Sequence, residues 1–182
     1  MLQLTIQLSP EGWDESKEEF VEARSQVLQL EHSLVSLSKW ESKYCKPFLS
    51  SAEKTDEEIL DYIQYMTLTP DVDPEVYACL SRENFKQIDA YINAPMTATT
   101  FSDNGKNSKR SREIITAELI YYWMIALNIP FECQYWHLNR LLTLVRVCNI
   151  KNAPPQKRSK RDIASSYAAL NAARRKQFNS KG

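Results

Sequence analysis

Glycine is almost missing from this sequence: three residues in 182, Gly12, Gly105 and Gly182. They stand too far apart to build a phosphate-cradling loop, where glycines let the backbone close on a ligand. Histidine is rarer still, with only His32 and His137. Neither is set beside a serine or cysteine nucleophile at a spacing known for catalysis, and His32 reads as a helix-cap or surface residue. No long uninterrupted apolar run occurs. The most apolar stretch, Ile114 to Phe131, carries Glu118 and Asn128 and contains Pro130, so it reads as a core helix and not a membrane span. The opening MLQLTIQLSP lacks a basic start and a small-residue cleavage site, so no signal peptide is expected. The four cysteines, Cys45, Cys79, Cys133 and Cys148, are widely and irregularly spaced. Without a secretory signal they read as free, buried thiols in a reducing cytoplasm.

What is present is core material and unevenly divided charge. Hydrophobic residues make up 43% of the chain, enough for one domain or a small domain with an attached arm. The net charge is zero, yet residues 1–100 hold 18 acidic and 8 basic side chains, and residues 101–182 hold 5 acidic and 15 basic. The halves therefore carry −10 and +10, and the last 32 residues alone carry +8. Such a division suits either a basic arm for nucleic acid or self-complementary halves that pair within or between chains.

Periodicity gives the organisation. Leu2, Leu4, Ile6 and Leu8 alternate with polar residues as in a half-buried strand, and Val27 to Glu31 can pair with it. Between them, the acidic Asp14 to Arg24 read as a loop or short solvated helix. From Ser33 the spacing becomes helical. Leu34, Leu37, Trp40 and Tyr44 form one stripe, stopped by Pro47. Thr55 and Glu58 form a capping box for a helix carrying Ile59, Tyr62, Ile63 and Met66. Asp73 and Pro74 open a short helix, and Ser81 caps another that runs through Phe85, Ile88, Tyr91 and Ile92 to Pro95. Residues 97–111 read as an exposed polar loop. Glu113 to Leu127 is apolar on nearly every face, so it is expected as the central core helix, followed by a helix from Glu132 to Cys148. Trp123, Leu119, Leu127, Leu138 and Leu142 are the expected core. After Pro154-Pro155 comes an alanine-rich basic segment, with Ser159 as cap and a thin apolar stripe of Ile163, Tyr167, Leu170 and Phe178.

The fold class expected is mainly α: a compact helical domain with a short N-terminal β-hairpin and a basic C-terminal helix. The expected divisions are 1–32 for the strand pair with its acidic loop, 33–150 for the helical core domain and 151–182 for the basic arm.

Chemistry is sparse. Cys133 and His137, four apart on a predicted helix, are half of a zinc site. The other half would have to come from Cys45, Cys79 or Cys148, none in a ligand-like pair, so no metal and no cofactor are expected. The carboxylates of residues 11–22 and 53–61 fall on predicted solvent faces and helix starts, where solvation and capping account for them better than catalysis. Tyr121, Tyr122, Trp123, Tyr135 and Trp136 could stack nucleobases but read as core and edge of two packed helices. An enzyme is not expected. The candidate partner-binding residues are Lys157, Arg158, Lys160, Arg161, Arg174, Arg175 and Lys176. They could hold phosphates, yet no groove-reading element accompanies them, so an acidic protein surface is the better fit.

Several phrases of the sequence are similar to a known family. The stretch Glu31-His-Ser-Leu-Val-Ser-Leu-Ser-Lys-Trp-Glu-Ser-Lys43, with Lys46-Pro-Phe-Leu49 after it, resembles the N-terminal part of tail assembly chaperones of long-tailed bacteriophages. So do Met96-Thr-Ala-Thr-Thr100, Trp136-His-Leu-Asn-Arg140 and Leu170-Asn-Ala-Ala-Arg-Arg175, which together spread over residues 30–175. The resemblance implies an assembly factor in the host cell cytoplasm, absent from the finished virion. It would bind the hydrophobic, helical tape measure protein and keep it soluble while tail tube protein polymerises around it. Self-association would suit that task, with the acidic half of one copy against the basic tail of the next. The alternatives are a nucleic-acid-binding module using the basic arm and a structural tail or connector protein retained in the virion. No membrane partner is expected.

Overall fold

The chain opens with a two-stranded antiparallel hairpin and then runs through seven α-helices among the described residues. The computed structural model describes residues 1–9, 12–14, 19–21, 23–101, 114–153 and 160–178. The predicted polar loop therefore lies largely outside them, as do the Ser159 cap and the side chain of Ile163.

Strand β1 (Leu2–Ser9) pairs with β4 (Arg24–Leu30) from Leu2↔Leu30 to Ser9↔Arg24, with a register shift between Gln7 and Ser9. Beyond it, β2 (Gly12–Asp14) pairs with β3 (Glu19–Val21). Of the described residues of Asp14–Arg24, all but Ala23 are thus strand, against the expected loop or short helix. The pairing of Gly12–Asp14 with Glu19–Val21 outweighs the low strand propensity of acidic residues. The register also explains Val27. It lies opposite Thr5 on the outer face, whereas Leu4, Ile6, Leu28 and Leu30 are buried on the inner one. The outer edge of β4 is closed by the chain after the second helix, where Leu68 N–H donates to Gln29 O (2.7 Å) and Gln29 N–H to Thr69 Oγ1 (2.9 Å).

The helices begin where side chains can satisfy their first amides. Helix α1 (Leu34–Tyr44) starts on a Ser33–Ser36 capping box, α2 (Asp56–Met66) on the Thr55–Glu58 box, and α4 (Arg82–Asn93) on Ser81 with Asn84. The short α3 (Glu75–Ala78) follows Asp73, whose Oδ1 accepts from Glu75 N–H at 3.0 Å. Helix α5 (Ala117–Ala126) is shorter than expected, because Thr116 is extended and caps it through Leu119 N–H. It ends on Asn128 in the left-handed conformation, with Ile129 N–H donating back to Met124 O at 2.8 Å.

The expected helix from Glu132 is broken. A 3-10 turn, Phe131–Tyr135, gives way to extended Trp136, and α6 (Leu138–Asn152) starts afresh. A tertiary contact causes the break: Ser33 and His137 form an isolated β-bridge, and Leu138 N–H donates to His32 O at 2.7 Å. Helix α7 (Lys160–Phe178) is the last element. By internal contacts the chain divides into two units, Met1–Asn149 and Ile150–Gly182.

The first unit holds two apolar cores. The hairpin, Trp40, α2, α3 and α4 enclose one; Leu34, Leu37, α5, the 3-10 turn and α6 enclose the other. Helix α1 belongs to both. Of the five expected core residues only Leu138 is fully buried; Trp123, Leu127 and Leu142 pack at the margin of the second core, and Leu119 is half-buried. Helix α5 covers that core from one side, burying Ala117, Ile120 and Met124, so apolarity all round does not here mean burial all round.

Candidate interaction surface

The two histidines come together at the seam between the cores. His32 is 2% exposed and His137 4%, with ring centroids 5.2 Å apart. This corrects the reading of His32 as a cap or surface residue. Its Nδ1 lies 2.5 Å from Tyr62 Oη. Burial, reinforced by the neighbouring His137, pushes the His32 imidazole down to about 4. The neutral ring can accept the phenolic hydrogen, and burial holds the Tyr62 phenol well above its ordinary value.

His137 Nε2 lies 3.0 Å from Tyr91 O. A carbonyl only accepts, so Nε2 carries the hydrogen, and Nδ1 is left to accept Asn139 N–H at 3.3 Å. Burial lowers the His137 imidazole, while the Tyr91 carbonyl and Glu31 pull the other way. Tyr91 Oη donates to Glu31 Oε1 at 2.7 Å, and the Met1 amino group lies 3.0 Å from Glu31 Oε2. The cluster is a set of satisfied hydrogen bonds joining elements.

Its neighbours have the same character. Glu41, buried on α1, accepts Phe48 N–H at 2.8 Å on Oε1 and Ala117 N–H at 2.7 Å on Oε2. A carboxylate thus sits at the start of α5, where the amides are free and the helix dipole is positive. Glu58 accepts Thr55 N–H and Lys46 Nζ, and the Lys46 hydrogen bond lowers its carboxyl. Burial would raise the Asp61 carboxyl, but Lys43 and Tyr44 together hold it below its usual range. Asn139 Nδ2 donates to Ile92 O and Ala94 O, closing the end of α4.

Cys133 lies in the 3-10 turn and His137 follows extended Trp136, so the two are not four apart on one helix as expected. Cys133 is buried in the second core, with its thiol raised chiefly by burial, and His137 Nε2 is engaged by Tyr91. Among the described residues no group of three His, Cys, Asp or Glu side chains is placed to hold a metal. The cysteines are free, but Cys45 and Cys79 are exposed, against the expectation of four buried thiols.

What the first unit leaves open is apolar. On α5, Tyr122 and Ile125 face solvent at 63% and 62% exposure, and Ile114 precedes them, also exposed. The next segment adds exposed Phe131 and Tyr135, with the Phe131 ring 6.4 Å from that of half-buried Tyr121. Trp136 is covered by the Arg140 guanidinium, 4.1 Å from its ring centroid. The aromatic cluster expected as core and edge is therefore largely edge. Single exposed apolar residues are ordinary; here several fall on one helix and the turn after it.

Of the proposed partner-binding residues, Lys157 and Arg158 lie outside the described residues. Lys160 begins α7, and Arg161, Arg174, Arg175 and Lys176 are exposed along it, as are Tyr167, Leu170 and Phe178. Among the described residues no helix is long and apolar enough to cross a membrane. No protein-family model matches the chain, and no curated protein or solved structure matches it either.

Proposed function

We propose that this protein is a non-enzymatic assembly chaperone of a long-tailed bacteriophage. It acts in the host cell cytoplasm on the tape measure protein while tail tube subunits assemble around it, and it is absent from the mature virion. The observation that carries the reading is the uncovered apolar face of α5, with Tyr122 and Ile125 outward on a helix whose opposite side closes a core. A surface of that kind fits the apolar stripe of a long helical client, because helix and groove recognise each other through side chains spaced three and four apart.

The phrases that resemble tail assembly chaperones support the reading in a second way. Residues 31–43, 46–49 and 136–140 meet around His32, Glu41, His137 and Asn139, where they tie elements together. They build a scaffold and leave binding to the surface.

The exposed Arg161, Arg174, Arg175 and Lys176 favour a second reading, a module for nucleic acid. Co-expression with the tape measure protein separates the two. The chaperone reading expects the client to stay soluble with the intact protein and to precipitate with Ile125→Glu. It fails if client solubility ignores the protein, or if the purified protein instead shifts duplex DNA or RNA at physiological salt.

A further inference from the structure

We infer that strand β1 is a pairing edge, at which two copies of the chain join antiparallel about a two-fold axis through Thr5. The strand is hydrogen-bonded along one side, to β4. The far edge of β4 is closed by Leu68 and Thr69, but among the described residues no strand or bridge covers the far edge of β1. Such an edge points alternate backbone N–H and C=O groups outward and is a template for a further strand. Proteins ordinarily guard it with charge, proline or a bulge. A quarter of this chain is charged, yet the eight residues Leu2–Ser9 hold no charge and no proline. The one irregularity lies between Gln7 and Ser9 and leaves Leu2–Gln7 regular.

The partner is written in the strand itself. Residues 2–8, LQLTIQL, are nearly the same read in either direction. Turned end for end about Thr5, a second copy sets Leu2 against Leu8, Gln3 against Gln7, Leu4 against Ile6 and Thr5 against itself. Directly opposite residues of an antiparallel pair share a face. Apolar therefore meets apolar on the inner face, where Leu4 and Ile6 already belong to the first core with Leu28 and Leu30. On the outer face amide meets amide and hydroxyl meets hydroxyl, among Gln3, Thr5 and Gln7, all exposed. A slip of one residue turns the second copy's apolar row to solvent, so the register is specified. The result is one sheet in the order β4-β1-β1-β4. A contact of like with like uses up both edges and closes at two copies. It contains no charged side chain, so it is separate from any pairing of the acidic and basic halves, and it involves neither α5 nor α7.

The test uses the full-length protein with single substitutions on the exposed outer face of β1. Directly opposite residues lie about 4.5–5.5 Å apart between Cα atoms, within disulfide reach. Thr5→Cys should therefore link to a second copy of itself under mild oxidation. Peptide mapping must assign the bond, because Cys45 and Cys79 are also exposed. Gln3→Cys should not link to itself, since the two copies of residue 3 stand about 14 Å apart along the strands. Mixed with Gln7→Cys it should. Thr5→Lys and Thr5→Asp, each alone, set like charges face to face and should weaken the dimer about threefold or more in sedimentation. Mixed together they should restore it, which a merely damaged fold would not do; circular dichroism checks each variant. The proposal is overturned if Thr5→Cys forms no bond between copies, or if Gln3→Cys links to itself as readily. It is overturned equally if the mixed charge variants associate no better than either alone.

Discussion

The His32 and His137 rings meet edge to face, 5.2 Å between centroids and 67° between planes, and they are the only two histidines in the chain. Each is hydrogen-bonded in a way that suits the neutral ring. A proton added to His137 Nδ1 would point at the Asn139 amide hydrogen, and one added to either ring would sit beside the other.

Stability should therefore fall in mild acid. His32 titrates at about 4 in the fold against an ordinary 6.5, so between these values the unfolded chain binds the extra proton. The stabilisation is complete above pH 6.5, drains away as pH falls toward 4 and levels off below. A shift of that size corresponds to about 3 kcal/mol. Urea midpoints measured from pH 7.5 down to 4 should show this loss, and a flat profile would contradict it. His32→Gln should flatten the profile while lowering stability overall.

Glu41 should matter more than its place on α1 suggests. Glu41→Ala strands the Phe48 and Ala117 amides, each at a cost of about 1–3 kcal/mol. Chemical denaturation measures the loss. Amide exchange at the start of α5 should rise with it, and an unchanged exchange rate at Ala117 would show that the carboxylate does not hold that helix.

Cys45 ends α1 in the left-handed conformation at φ 51°, where a side chain is strained and glycine is not. Cys45→Gly should raise stability by about 1 kcal/mol, and a melting temperature below that of the intact protein would show that the end of α1 gains nothing from relief there.

The two sides of α5 should separate stability from binding. Met124→Ala, in the second core, should cost about 2–5 kcal/mol. Ile125→Glu, one residue on but exposed, should stay within about 0.5 kcal/mol of the intact protein. Equal melting points for the two variants would mean that the inner and outer faces are wrongly assigned.

Local signals were legible in the sequence wherever a few neighbouring residues decide the outcome. The Thr55–Glu58 box, the Asp73-Pro74 start, the Ser81 cap and the alternation of Leu2 to Leu8 each specify one turn or strand by themselves. The break at Trp136 was not legible, because a bond to His32 imposes it from a distant part of the chain. The pairing of the histidines was hidden for the same reason. Helix α5 shows the other limit. Periodicity tells which residues can be buried, and when every face qualifies it does not tell which face will be left bare.

The bond from Leu138 N–H to His32 O also sets an order of events during synthesis. The hairpin and α1 leave the ribosome about a hundred residues before α6 exists. At roughly 5–20 residues per second that interval is about 5–20 s. Throughout it Leu34 and Leu37, which end fully buried against α5 and α6, have nothing to pack on. The first half of the chain must therefore carry this apolar surface uncovered until the second half arrives to close over it.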